Sequence, residues 1–141
     1  MTEYKNPAAT STVIVEVNDK YLLVKRKDNP FKGKWAFPGG YLNCDKETLE
    51  RAAQRELQEE TQLRVKQKNL YLLCVRSEPD RDPRGHVIDH VYVAKNVEGI
   101  VRASDDAADY KWATANEIKT LAFDHYKDFK LYLRQKELGR I

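Results

Sequence analysis

The sequence predicts an α/β fold, a mixed central β-sheet with helices on its faces. Two observations predict it. Short β-rich runs flank one strongly helical segment at residues 47–61, and a second helical segment, 123–136, closes the chain. The length of 141 residues fits a single compact domain spanning 1–141. It is enough to bury a core without help from disulfides.

The elements follow in order. Residues 11–17 are β-rich, Asn18-Asp19 is a turn signal, and 21–26 returns as a second strand, so the pair reads as a hairpin. Asn29-Pro30 and Gly33 mark a loop. Trp35 to Phe37 is a short strand, with Trp35 as a packing residue, and delivers the chain to a Pro38-Gly39-Gly40 turn. Helical period begins at Glu47, with Asp45 as the expected cap and Leu49, Ala52, Ala53 and Leu57 on one face. Residues 70–75 and 86–94 read as strands, separated by the turn-rich loop 77–85. Residues 97–102 form a further short strand candidate, and 110–112 another. Thr114 with Glu117 is a capping box for a helix. The last helix ends at Gly139.

Composition excludes several classes. Charged residues make up 33 % of the chain and the net charge is +3, too mild a balance to argue for nucleic-acid binding. No apolar run is long enough to cross a bilayer, and residues 1–7 lack the hydrophobic segment of a secretory signal. Cys44 and Cys74 are the only cysteines and have no metal-ligand spacing. They point to a reducing, cytoplasmic setting without structural zinc. Cys74 lies in an apolar run and is expected in the core; Cys44 lies in the loop after the glycines.

The chemistry concentrates on the first helix. Glu56 and Glu60 are four residues apart and stack on one face, with Glu59 turned a similar way. Like charges at this spacing destabilise a helix by roughly 0.2–0.5 kcal/mol. A cluster of hard oxygen ligands invites Mg2+ or Mn2+, which removes that repulsion.

Around these carboxylates the sequence resembles the Nudix hydrolases. Their signature runs Gly, five residues, Glu, seven residues, Arg-Glu, an aliphatic residue, any residue, Glu-Glu, any residue, Gly, aliphatic. Here Glu47, seven residues, Arg55-Glu56-Leu57-Gln58-Glu59-Glu60, one residue and Gln62-Leu63 match its core. Two departures stand out. Six residues rather than five separate Gly40 from Glu47, and Gln62 replaces the glycine expected where a helix end favours a left-handed residue. Neither removes a carboxylate.

The resemblance implies the Nudix fold, an α/β/α sandwich, and hydrolysis of a nucleoside diphosphate linked to a further group. It implies Glu56, Glu60 and Glu59 as metal ligands with the Gly40 carbonyl. Arg55 would orient the glutamates through a pair with Glu47. The general base is either Glu56 or Glu59 from the helix, or Asp105 or Asp106 from a later loop. Segments 82–86, 104–107 and 121–125 look like the ADP-ribose pyrophosphatase branch, whose members often form homodimers. Arg26 and Arg84 are then candidate diphosphate partners, with His125 near the site. Tyr4, Phe31, Phe37 and Tyr41 are candidate partners for adenine. Two rivals are a nucleoside triphosphate pyrophosphohydrolase and a non-catalytic ADP-ribose sensor. Intact Glu56, Glu59 and Glu60 favour an enzyme over the sensor.

Overall fold

The computed structural model describes residues 3–101 and 109–141. Strand β1 (Ala8–Val17) is the spine of the molecule. It runs parallel to β6 (Val87–Ala94) over eight paired residues and antiparallel to the short β4 (Gly39–Tyr41). Its last two residues pair with β2 (Lys20–Lys25). The turn between them places Asn18 and Asp19 at φ 51° and 62°, a conformation that Asn and Asp tolerate better than most residues. The hairpin is therefore real but brief. Beyond it β2 leaves β1 and pairs with β3 (Trp35–Ala36) and with β7 (Asp109–Thr114). Strand β5 (Leu70–Arg76) lies outside β6 and completes the mixed sheet.

Strand alternation sorts the apolar residues to two faces. Val13 and Val15 of β1, Leu22 of β2 and Tyr92 and Ala94 of β6 pack with Ala53 and Leu57 of helix α1 (Leu49–Thr61). The intervening Ile14, Tyr21, Leu23, Val91 and Val93 pack with Phe129 and Tyr132 of helix α2 (His125–Glu137). The result is the expected sandwich, one helix on each face of the sheet.

Several boundaries differ from the sequence reading. Helix α1 starts at Leu49 and its cap is Thr48, whose hydroxyl accepts the Arg51 N–H at 3.2 Å, so Glu47 lies outside the helix. Asp45 instead sits at φ 65° in a turn that the Lys46 N–H closes onto the Asn43 carbonyl at 3.1 Å. That turn takes up the extra loop residue. Gln62 does adopt the left-handed conformation, φ 69°, and its N–H bonds to the Gln58 carbonyl. Gly39 and Gly40 form a strand rather than a turn. Among the described part of residues 97–102 there is only a single bridge, Glu98 with Arg64, not a strand. The Thr114–Glu117 capping box forms, but what it caps is one 3-10 turn, Ala115–Glu117. Cys74 is half-buried at the edge of the core, where its thiol lies 3.6 Å from Asp128.

Candidate active site

The site forms where β4 passes the acidic face of α1. Close approach of backbone requires the glycine at 39, and the absence of a side chain at Gly40 lets the Glu56 carboxylate sit against the strand. A Cβ at Gly39 would overlap the Ser11 carbonyl oxygen, and a Cβ at Gly40 would overlap the Glu56 carboxylate. With hydrogen in that place, Glu56 packs directly on the Gly40 backbone. Glu60 accepts the Gly39 N–H at 3.0 Å. Two carboxylates thus lie against the backbone of one short strand, a cradle of hard oxygens suited to Mg2+ or Mn2+.

Arg55 organises this face. Its Nε donates to both Glu47 oxygens at 3.2 and 3.0 Å, and Nη2 to Glu47 Oε1 at 2.7 Å and to the Tyr41 carbonyl at 3.0 Å. Nη1 donates to Glu56 at 2.9 Å and to Glu59 at 3.1 Å. The Arg55 hydrogen bonds hold the Glu47 carboxyl below its ordinary range, and the same bonds raise Arg55 further. Glu47 also accepts the Asn43 N–H at 2.9 Å, which ties the inserted loop to the pair. Glu59 is the most open of the carboxylates, with its side chain 46 % exposed.

A cleft runs from Gly40 and Glu60 past Arg26, Tyr41, Arg84 and Phe123, with His125 in its wall. Arg26 donates to the Pro30 carbonyl at 2.6 Å and lies 4.9 Å from the Phe123 ring centre. Arg84 lies 4.7 Å from the Tyr41 ring centre and 5.4 Å from that of Phe123. It also pairs with Asp82 at 2.8 Å. The Asp82 hydrogen bond raises Arg84, whereas burial and the nearby Arg84 charge lower Arg26. Two guanidinium groups held against one aromatic ring form an anion-seeking end of the cleft.

The structure therefore gathers Arg26, Gly40, Tyr41, Arg84 and His125 about one cleft that Glu60 enters from α1. Arg55 and Glu59 stand on the adjoining flank of the helix, with Glu47 beside them in the loop before it. Phe37 is 2 % exposed and packs in the core, so it is not available to stack on a base. Phe31 packs edge-on against Phe123, and Tyr4 is 87 % exposed. Asp105 and Asp106 lie outside the described residues.

A second polar group lies behind the cleft. Asp89, His125 and Asp128 are buried and bring potential ligand atoms within 4.8 Å of one another. Most of its ligand atoms are already engaged, although Asp128 Oδ2 is buried without a hydrogen-bond partner. Asp89 accepts the hydroxyls of Thr10 and Thr12, Asp128 Oδ1 accepts Arg76 at 2.7 Å, and Arg81 lies 3.8 Å from Asp89. The Nδ1 lone pair of His125 accepts the Phe37 N–H. The group suits internal support better than cation binding. Burial pushes the Asp128 carboxyl up to about 6 and the His125 imidazole down to about 4.

The model of the NUDIX domain matches residues 5–134. The chain belongs to the Nudix family. It is 48 % identical over 133 residues to an ADP-ribose pyrophosphatase of Methanocaldococcus jannaschii, covering 94 % of this chain and 77 % of that protein. A Francisella tularensis bifunctional NMN adenylyltransferase/ADP ribose pyrophosphatase, solved with AMP and a manganese ion, superposes with a TM-score of 0.80 at 35 % identity. That match covers 95 % of this chain and 43 % of the larger one. The Nudix domain of Shewanella oneidensis NrtR in complex with ADP ribose gives a TM-score of 0.82 at 27 % identity, over 94 % of this chain and 90 % of that domain.

Within this Nudix chain, sequence reasoning missed Arg81, Asp82, Asp89 and Phe123 as parts of the cleft. Asp89 left a trace. It shares the inward face of β6 with Val87 and Val91, and a lone acid in an apolar alternation signals a built polar site. Phe123 lies in the segment 121–125 that the sequence singles out, but its place in the cleft depends on a left-handed backbone, φ 55°, just before α2.

Proposed function

We propose that this Nudix domain is a metal-dependent pyrophosphohydrolase that converts ADP-ribose and water to AMP and ribose 5-phosphate. The observation that carries the reading is the acidic cradle of Glu56 and Glu60 on Gly39–Gly40, opening into a cleft walled by Arg26 and Arg84. The relatives noted above bind or process ADP-ribose, which supports the choice of substrate.

Each residue has a task in this reading. Glu56 and Glu60, with Glu59 and the Gly40 carbonyl, would hold Mg2+ or Mn2+. What a bound divalent ion supplies is neutralisation of the diphosphate and a water of lowered pKa. Arg55 fixes Glu47, Glu56 and Glu59 relative to the Tyr41 backbone. Arg26 and Arg84 draw the diphosphate into the cleft, and Tyr41 offers a half-exposed ring for the nucleoside. Of the two helix carboxylates considered as base, Glu59 is the more open to water. The His125 Nδ1 is taken by Phe37, so we assign it no bond to substrate.

The reading extends to the assembly and setting. The outer strand β5 leaves Leu72 and Val75 56 % and 46 % exposed on one face, a patch suited to a homodimer. Light scattering that gives a monomer at working concentration refutes the dimer. Among the described residues no helix is long and apolar enough to cross a membrane. We place the protein in the cytoplasm on its two unpaired cysteines.

Product analysis tests the activity. The chain is incubated with ADP-ribose, NADH and nucleoside triphosphates, each with Mg2+ and with Mn2+. AMP and ribose 5-phosphate from ADP-ribose support the proposal. Pyrophosphate released from a triphosphate in preference shows a nucleotide-pool enzyme instead. Tight ADP-ribose binding without turnover shows a sensor instead.

A further inference from the structure

The segment that carries Gly39 and Gly40 is held from several sides. The Val13 N–H donates to the Pro38 carbonyl at 2.8 Å, and the Ala122 N–H to the Trp35 carbonyl at 2.8 Å. Between these two points the Phe37 N–H donates to His125 Nδ1 at 3.2 Å, across 88 residues of sequence. An imidazole nitrogen that accepts a hydrogen bond carries no proton, so neutral His125 has its proton on Nε2. The ring is 5 % exposed and stacks on Phe37 with centroids 5.8 Å apart. It cannot swing away to touch a ligand without leaving that amide unpaired in the core.

We propose that His125 is a positioning residue, whose unprotonated Nδ1 fixes the Phe37 amide and thereby the backbone that brings the Gly39 N–H and the Gly40 Cα to the acidic face of α1. The consequence for catalysis rests on the metal-dependent reading above; the tautomer and the backbone link do not. Charged groups surround the ring. Asp89 faces it from β6, Asp124 and Asp128 from α2, Arg81 from the loop before β6, and Arg26 from the end of β2. Arg81 in turn grips Asp124 through two hydrogen bonds of 2.8 and 2.7 Å, which locks the start of α2 where His125 resides. Phe123 packs against the ring at 5.5 Å, so the cleft wall and the support share one residue.

Two substitutions separate positioning from packing. His125→Asn presents an amide oxygen near the place of Nδ1 and can still accept the Phe37 N–H. His125→Leu fills the space and accepts nothing. In the metal-free protein, Phe37 amide exchange should quicken by about tenfold or more in the Leu variant and stay near wild type in the Asn variant. Mn2+ affinity, read by electron paramagnetic resonance, should fall roughly 10- to 100-fold in Leu and recover in Asn. Turnover should follow in kcat, with KM little changed. The unmodified protein supplies a check that needs no variant. Its imidazole 15N shifts near neutral pH should show Nδ1 without a proton and Nε2 with one. A protonated Nδ1 overturns the proposal, as do equal exchange and Mn2+ affinity in the Leu and Asn variants. A rise in KM with unchanged kcat overturns it too, by placing His125 on the substrate. If the chain turns over no nucleotide at all, the proposed function fails while the exchange and 15N results still decide this one.

Discussion

Arg55→Ala removes a cation that binds three carboxylates and a backbone carbonyl at the cradle. Its guanidinium makes six hydrogen bonds of 2.7 to 3.2 Å, three of them to Glu47. A charge-assisted bond in a covered site contributes about 1.5–3 kcal/mol, and an exposed pair such as Arg55–Glu59 under about 1 kcal/mol. These terms do not add, because Arg55 is a quarter exposed and water partly replaces it. A net loss of about 2–3 kcal/mol follows, measured in EDTA by urea unfolding near pH 7. The pH dependence has a definite sign. Arg55 holds the Glu47 carboxyl below its ordinary 4.5, so that part of the stability is present above 4.5. It is lost as pH falls through the depressed value. The gap between variant and wild type should therefore narrow toward pH ~3. Arg55→Lys keeps the charge without the fork and should restore less than half. A loss under about 0.5 kcal/mol near neutral pH, or a gap that does not narrow in acid, refutes the reasoning.

Three further outcomes are expected. Glu60→Gln should keep the Gly39 hydrogen bond and the circular-dichroism spectrum but lower metal-dependent turnover by about 100-fold or more; unchanged turnover rejects the metal-ligand assignment. Arg84→Ala should raise KM for ADP-ribose roughly tenfold with little change in kcat, and a selective fall in kcat would move Arg84 from binding to chemistry. Buried Asp128, raised from 3.8 to about 6, favours folding at low pH and loses that contribution as pH rises through 6; buried His125, lowered from 6.5 to about 4, does the reverse. Their slopes oppose each other between pH 4 and 6, which leaves the rise contributed by depressed carboxylates such as Glu47. Asp128→Asn should make stability climb more steeply with pH across that window, and equal slopes for variant and wild type would contradict the buried assignments.

The arrangement of the residues proposed to carry chemistry on α1 was legible because helix geometry is local. The spacing of Glu56, Glu59 and Glu60 and the reach of Arg55 to Glu47 follow from one helix and its entry loop. The sandwich was legible for a related reason. Alternation in β1 and β6 had to send Val13 and Ile14 to opposite layers. Register was not legible. That β1 pairs in parallel with β6, and that Gly39–Tyr41 joins as a strand, depends on contacts far apart in sequence. The cleft's other wall was hidden for the same reason. Arg81, Asp89 and Asp124 meet only after β6, the preceding loop and α2 have docked. Thr48 won over Asp45 as cap because the extra loop residue shifted the helix start while Asp45 closed a turn.

The central claim is that Glu56 and Glu60, seated on Gly39–Gly40, grip the divalent ion on which hydrolysis depends. Anomalous scattering at the manganese edge from crystals soaked in Mn2+ tests it directly. The account predicts a peak with carboxylate oxygens of Glu56 and Glu60 at about 2.0–2.6 Å and none among Asp89, His125 and Asp128. A peak within that buried trio, or α1 carboxylates turned away from every bound ion, would contradict it.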